Sequence, residues 1–283
     1  MKTKTRKIGV FDSGVGGLTV LRALLPCIAN TEYLYLGDTA RLPYGSKSQT
    51  TIARYAVSSS RFLIDQGCEF LVIACNTASA LALDEINATA APHNVPVVGV
   101  IAPGAAAAAA RSVTRDALVI ATSATVQSHA YAAACESHGL RSLEKACPLL
   151  VPLVEEGWVD HPVTTEVVRI YLSELHRQAA EADLAPDTIV LGCTHYPLLR
   201  EVIEHAVCQL WPSRPPKVID SAEATASEVE QRLNATSPPQ DLSAAVQPAV
   251  RFYATDSVAK FRQLGTRFLG QPVCDVELVD LGG

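Results

Sequence analysis

Two cysteines stand at matching points of the sequence. Cys75 follows the apolar run 70–74, and Cys193 follows the run 188–192. Each run has the uninterrupted aliphatic pattern of a strand that is buried on both faces of a parallel sheet. Ligands bind outside the carboxyl ends of such strands, so we expect the two thiols to face one ligand from opposite sides. A lone cysteine is often only a small buried hydrophobe, and the repeated context is what favours chemistry here.

Two thiols on opposite walls of a cleft suit the inversion of a carbon centre. One thiolate removes a proton from one face of the carbon, and the other thiol delivers a proton to the opposite face. The ordinary pKa of a thiol is about 8.5, so a nearby charge or a helix N-terminus is enough to tune it. His195 lies two residues after Cys193, which leaves open a cysteine hydrolase that uses one thiol and one histidine.

Three ionisable side chains stand where they would assist the thiols. Asp12 ends the apolar run 8–11 before a glycine-rich turn, Glu155 ends the apolar run 149–154, and His195 follows Cys193. We expect them to pass protons onward or to set the local field. Each also has an ordinary interpretation: Asp12 as a helix N-cap, Glu155 as a solvated carboxylate and His195 as a ring bonded to backbone.

Short polar groups at the same strand ends are candidates to hold a substrate carboxylate. Hydrogen-bond donors there would stabilise the carboxylate as it becomes electron-rich during proton removal. The candidates are Ser13, Tyr44, Gly45, Asn76, Thr77, Thr194 and His195. No lysine stands at a strand end in a position to form a Schiff base, so we expect chemistry without a cofactor.

The composition excludes several classes of protein. With 283 residues, 48% hydrophobic and 18% charged, the chain is globular, and its net charge of −6 argues against a nucleic-acid or membrane surface. No apolar run reaches the roughly 18 residues that would span a bilayer. The eight cysteines form no C-x-x-C pair, so we expect no metal site. Without a secretory signal, we predict reduced thiols and a cytoplasmic protein.

Alternating strands and helices predict an α/β fold of two similar doubly wound domains, with mainly parallel sheets and the active site in the cleft between them. We place residues 1–97 and 211–283 in a discontinuous first domain and residues 98–210 in the second. The proline-rich stretch 211–216 is the predicted crossing point, and residues 235–247 are predicted to form a surface connection. Thr77 is the predicted N-cap of a helix over 78–90.

Five segments, in order along the chain, together resemble the aspartate/glutamate racemase family and in particular its glutamate-specific members. They are IGVFDSGVGGL (8–18), RLPYG (41–45), ACNTAS (74–79), VPLVEEG (151–157) and LGCTHYPL (191–198). The resemblance covers essentially the whole chain. Ala121 is the one visible departure, since a glycine is more usual there, and it affects no catalytic position.

The resemblance implies a cofactor-independent isomerase that interconverts L- and D-glutamate and supplies D-glutamate for peptidoglycan, and therefore for cell-wall biogenesis and cell shape. It implies that Cys75 and Cys193 are the two acid/bases and that Asp12, Glu155 and His195 assist them. The implied substrate contacts are Asp12, Ser13, Tyr44, Gly45, Asn76, Thr77, Thr194 and His195, with Thr122 and Thr125 nearby. Members of this family are often dimers, so a homodimer is expected.

Other functions remain to be separated. A racemase of another amino acid such as aspartate, or a hydantoin racemase, would also use two cysteines, whereas a related decarboxylase uses one. The Asp-Ser-Gly-x-Gly-Gly turn favours glutamate, and the paired thiols count against the decarboxylase. A non-catalytic amino-acid-binding protein would have no use for matched thiols.

Overall fold

Two parallel sheets form the framework of the protein, as the alternation of strands and helices predicts. The computed structural model describes residues 5–236 and 248–282. In chain order the strands are β1 (Arg6–Asp12), β2 (Thr31–Gly37), β3 (Phe70–Ile73), β4 (Val97–Gly99), β5 (Asp116–Ala121), β6 (Arg141–Ala146), β7 (Thr188–Gly192), β8 (Lys217–Asp220), β9 (Ala249–Ala254) and β10 (Val276–Leu278). The α/β class and the parallel sheets are confirmed.

Helices connect almost all of these strands. They are α1 (Leu18–Leu24), α2 (Gln49–Asp65), α3 (Asn76–Leu81), α4 (Leu83–Ala90), α5 (Ile101–Arg111), α6 (Ser123–Gln127), α7 (Ala130–Ser137), α8 (Leu150–Glu155), α9 (Pro162–Glu181), α10 (Arg200–Leu210), α11 (Ser221–Thr236) and α12 (Val258–Leu269). Within the described ranges, no helix is both long and apolar enough to cross a membrane.

The strand order places a reversal point in each sheet. The first sheet has the order β10-β9-β2-β1-β3-β4, and the second has the order β6-β5-β7-β8. In the first sheet the chain continues from β1 to β2 on one side and later adds β3 on the other. In the second sheet β6 and β7 flank β5 in the same way. The crevice at such a reversal is the favoured ligand site of an open α/β sheet.

Alternate residues of the central strands pack into different cores. Ile8 and Val10 of β1 share one core with Leu118 and Ile120 of β5, so apolar packing joins the two sheets. Phe11 of β1 points to the other face of the first sheet, into a separate core under α2, α3 and α4. All of these side chains are at most 1% exposed. The two halves therefore hold the strand ends in a common apolar framework.

Sheet membership corrects part of the predicted domain division. β8 pairs with β7 in the second sheet, so residues 217–220 do not return to the first domain as predicted. A short crossover through α10 brings β8 beside β7, the usual outcome for successive parallel strands. β4 pairs with β3, so residues 98 and 99 belong with the first sheet. β9 and β10 do join the first sheet, and the rest of the division stays a prediction.

Other local predictions also needed correction. The helix predicted over 78–90 is two helices, α3 and α4, separated at Ala82 with φ −142°. The N-cap of α3 is Cys75, whose sulfur accepts a hydrogen bond from the backbone of Ala78, and not Thr77. β6 was not predicted, because its sequence RSLEKA is too polar to have the apolar strand pattern. The predicted surface connection over 235–247 lies mostly outside the described residues.

Candidate active site

Both cysteines lie at the reversal points of their sheets. Cys75 lies two residues after the end of β3 beside β1, and Cys193 directly follows β7 beside β5. The two thiols are almost completely buried, with 5% and 6% of each residue exposed. The sequence argument from matching strand ends thus leads to two equivalent places in the fold.

Cys75 is held by polar groups of two neighbouring segments. Its thiol donates to Ser13 Oγ at 3.4 Å, and its sulfur accepts from the backbone N–H of Ala78 at 3.4 Å. Burial, together with the nearby charge of Asp12, raises the pKa of the Cys75 thiol to about 12. Cys75 therefore keeps its proton at neutral pH until a ligand changes its surroundings.

Asp12 is a buried carboxylate with one oxygen bonded and the other free of partners. Its Oδ2 accepts from the N–H of Gly14 at 2.9 Å, whereas its Oδ1 has no hydrogen-bond partner among the residues that the structure describes. Burial raises the pKa of Asp12, opposed by the backbone N–H groups of the turn and by His195. The N-cap of α1 is Gly17, so the interpretation of Asp12 as a helix cap is wrong.

Cys193, His195 and Glu155 form a connected series. His195 Nδ1 lies 3.9 Å from Cys193 Sγ, and His195 Nε2 lies 3.2 Å from Glu155 Oε1 at the end of α8. Burial opposes a charge on this ring, but the hydrogen bonds to Cys193 and Glu155 outweigh it and raise the pKa of His195 to about 10. The bond from His195 also lowers the pKa of Glu155, despite burial.

The glycine-rich turn after β1 brings the two halves of the site together. A Cβ added to Gly16 would lie 2.3 Å from Thr194 Oγ1 and 2.6 Å from His195 Nδ1, so only glycine allows this approach. Thr19 Oγ1 donates to the carbonyl oxygen of Thr194 at 3.0 Å. The turn that carries Asp12 and Ser13 is therefore packed directly on the segment that carries Cys193.

A cluster of threonine hydroxyls joins the two sheets beside Cys75. Thr77 Oγ1 lies 3.1 Å from Thr122 Oγ1 and 3.3 Å from Thr125 Oγ1, and the last two are 2.9 Å apart. Gly45 faces the same group, since a Cβ there would lie 3.5 Å from Thr122 Cβ. Thr122 Oγ1 also accepts from the backbone N–H of Thr125, as the N-cap of α6. Hydroxyls that bond to one another can redirect their protons to an entering anion.

Two candidate substrate contacts have partners that the sequence did not reveal. Tyr44 is buried, and its hydroxyl donates to Asp38 Oδ2 at 2.6 Å. Asp38 also accepts from Arg41 Nε and Thr255 Oγ1, which fixes the loop that presents Gly45. Asn76 Oδ1 accepts from the hydroxyl of Tyr131 at 2.7 Å. The hydroxyl of Tyr44 is thus committed to its own loop in this structure.

Side chains outside the sequence motifs complete the site. The ring of Phe268 on α12 meets the ring of His195 edge-on, with 4.9 Å between their centroids. Asp38 follows the end of a strand, as Asp12 does, so the same sequence pattern could have identified it. Tyr131 and Phe268 lie inside helices, where no local sequence pattern marks them. Over the described ranges, no group of three His, Cys, Asp or Glu side chains is arranged to hold a metal ion.

Known proteins resemble this chain over nearly all of its length. A model of the family described as Asp/Glu/Hydantoin racemase matches residues 8–229. A glutamate racemase from Koribacter versatilis (strain Ellin345) is 52% identical, over 98% of each chain. The crystal structure of glutamate racemase from Francisella tularensis in complex with D-glutamate superposes with a TM-score of 0.84 and 34% identity, over 99% of each chain.

Aspartate-specific relatives share the fold at a much greater distance. The aspartate racemase of Picrophilus torridus superposes with a TM-score of 0.55 at 17% identity, over 80% of this chain and 94% of that protein. Such a likeness supports the architecture alone. The full-length identity with curated racemases, together with the family match over most of the sequence, decides the classification. The chain belongs to the Asp/Glu/Hydantoin racemase family and is an isomerase.

Proposed function

We propose that the protein is a cofactor-independent glutamate racemase that interconverts L- and D-glutamate through two cysteines. The observation that carries this proposal is the equivalent placement of Cys75 and Cys193 at the reversal points of two sheets, each with its own ionisable neighbour. The names of the relatives support glutamate as the substrate, since one was crystallised with D-glutamate.

The two thiols have different neighbours. Cys75 holds its proton because it is buried beside Asp12, whereas Cys193 lies beside the ring of His195. A thiolate takes the Cα proton from one face, the electron pair moves into the substrate carboxylate, and the opposite thiol then supplies a proton to Cα. The two sulfurs have exchanged protonation states at the end of the step. Asp12 on one side, and His195 with Glu155 on the other, return them to the starting state.

Substrate charges match the buried polar atoms around Cys75. Asp12 Oδ1 and Asn76 Nδ2 are buried and have no hydrogen-bond partner within the described part of the chain. An ammonium group would pair with the first, and a carboxylate oxygen would pair with the second. Ser13, Gly45, Thr77 and Thr194 supply further donors near the same place, so the carboxylate is stabilised most when it becomes electron-rich.

The cellular role follows from the product. We propose that the D-glutamate is used in the cytoplasm for peptidoglycan synthesis, and that the enzyme acts there as a homodimer without cofactor, metal, nucleic acid or membrane. The fold contributes the cleft between the predicted domains 1–97 with 211–283 and 98–210, as amended by the sheet membership of β4 and β8.

Isotope exchange tests the proposal directly. The protein is incubated with L-glutamate in D₂O, while circular dichroism follows optical activity and proton NMR follows the Cα hydrogen. We expect optical activity to fall to zero as D-glutamate appears with deuterium at Cα. The same assay with L-aspartate shows whether the enzyme racemises this shorter amino acid instead. Binding without exchange would indicate a binding protein, and release of ammonia or CO₂ would indicate a hydrolase or a decarboxylase.

A further inference from the structure

A single hydrogen bond connects the helical layer of the second sheet to the residue after Cys75. Tyr131 on α7 is fully buried in a core with β5 and α5, and its hydroxyl donates to Asn76 Oδ1 at 2.7 Å. Neither partner is close to the other in sequence. The bond is therefore a direct contact between the second half of the molecule and the Cys75 side of the site.

The ring of Tyr131 packs closely against two glycines. A Cβ added to Gly192 would lie 2.9 Å from Tyr131 Cε2, and one added to Gly104 would lie 3.4 Å from the tyrosine ring and hydroxyl. Gly192 immediately precedes Cys193. One aromatic side chain thus contacts the residue before one thiol and bonds to the residue after the other.

The bond determines which end of the Asn76 amide is available. Oδ1 accepts from Tyr131, so Nδ2 is the free end. Turning the amide over would make the Tyr131 hydroxyl the acceptor and would leave its own proton without the Asn76 oxygen. Asn76 is only 3% exposed, and its Nδ2 has no hydrogen-bond partner among the described residues. An unpaired buried N–H₂ is costly unless an acceptor arrives, and an anion is the acceptor that pairs best with it.

We propose that Tyr131 is a positioning residue that fixes the Asn76 amide so that its two donors serve the substrate carboxylate. This inference rests on the proposed function, because it concerns how the same site binds an amino acid. Tyr131 does not touch the reacting atoms and acts only through Asn76. It also makes substrate binding depend on the contact between the two halves of the molecule.

The test removes one oxygen atom and compares two tyrosines. Tyr131→Phe keeps the ring between the glycines, and we expect a five- to tenfold rise in KM, about the loss of one hydrogen bond, with a smaller change in kcat. Tyr33→Phe is the matched control, since Tyr33 is equally buried and its hydroxyl donates to the carbonyl of Leu24 away from the site. The control should lose stability but keep its KM. Equal KM values in the two variants would overturn the inference.

A double-mutant cycle distinguishes positioning from a merely structural role. We expect Tyr131→Phe to raise KM in the native background and to change it little when Asn76→Ala is already present, because the two residues act in series. Additive effects would overturn the inference.

If Tyr131→Phe does not fold, Asn76→Asp takes its place: the Tyr131 bond would then turn a negative oxygen toward the substrate, and KM should rise further than in Asn76→Ala. An equal rise would count against the inference. If the native protein does not racemise glutamate, the proposed function itself fails.

Discussion

His195 Nε2 lies 3.2 Å from Glu155 Oε1, while Nδ1 of the same ring lies 3.9 Å from Cys193 Sγ. Glu155 therefore reaches the thiol only through the imidazole. Its side chain is 22% exposed and that of His195 is 11% exposed, so the pair is shielded but still reached by solvent. The charge on the ring depends on the carboxylate, because the hydrogen bond to Glu155 helps to raise the pKa of His195.

Removing the charge of Glu155 should move the alkaline limit of activity. In Glu155→Gln the ring loses an ionic partner, so the pKa of His195 should fall from about 10 toward its ordinary 6.5. The decline of kcat with rising pH, which follows deprotonation of the ring, should then begin at a lower pH. The pH profile of kcat checks this, with Glu156→Gln, an exposed neighbour, as the control. An unchanged alkaline limb in Glu155→Gln would contradict a role of this pair in tuning Cys193.

The same pair should stabilise the fold within a limited pH window. The raised pKa of His195 contributes stability that is complete below pH 6.5 and is lost as the pH rises through about 10. The lowered pKa of Glu155 contributes stability above about 4.5 that is lost as the pH falls through its folded value. Urea unfolding of the native protein and Glu155→Gln should thus differ most between pH 4.5 and 6.5, by about 1–3 kcal/mol. A difference that grows toward pH 10 would have the wrong sign.

Each of the two proposed catalytic thiols should be indispensable. Serine is a far weaker acid than cysteine, so Cys75→Ser and Cys193→Ser should each lower racemisation at least 10²-fold, roughly the contribution of a general acid or base. Cys208→Ser is the control, since Cys208 is an exposed thiol on α10. Circular dichroism on L- and on D-glutamate measures the loss in both directions. Near-normal activity in either catalytic variant would exclude the two-base scheme.

The local part of the site could be predicted from the sequence because the reactive residues directly adjoin the apolar runs that form the strands. The apolar runs before Cys75 and Cys193 indicated buried parallel strands, and the reversal points of both sheets are where those runs end. Asp12 and His195 were found for the same reason, whereas Glu155 ends the apolar run of a helix, α8. The matching pattern contained the essential geometry, since two similar strand ends occupy equivalent places in two similar sheets.

Contacts between distant segments could not be predicted in this way. Tyr131 meets Asn76 only after two sheets have packed together, and nothing in the alanine-rich helix around it marks that partner. β6 is an edge strand whose polar residues do not form an apolar run, and β8 was assigned to the wrong sheet because sequence order does not state which edge is open. The break at Ala82 interrupts a segment that is rich in alanine and leucine and contains no glycine or proline.

The hydroxyl of Tyr44 should matter more for the loop than for the substrate. It donates to Asp38, which also accepts from Arg41 and Thr255, so Tyr44→Phe removes one of the donors to a buried carboxylate. We expect a loss of about 1–2 kcal/mol in unfolding free energy and little change in KM. Thermal unfolding and steady-state kinetics on one preparation check both. A large rise in KM at unchanged stability would instead assign the hydroxyl to the substrate.

Gly16→Ala should disable the site by pushing apart the two segments that form it. The added Cβ would meet Thr194 Oγ1 at 2.3 Å and the ring of His195 at 2.6 Å, well inside van der Waals contact, so His195 must move away from Cys193 or from Glu155. Displacements of about 1 Å at a catalytic group cost roughly 10²-fold in rate, and we expect at least that loss in kcat. Gly9→Ala is the control, because its Cβ would press on Leu71 and Cys68 inside the first sheet at 3.1–3.2 Å and should lower stability without changing kcat. If both variants lose stability alike and Gly16→Ala keeps its kcat, the contact between the turn and His195 is not needed for the reaction.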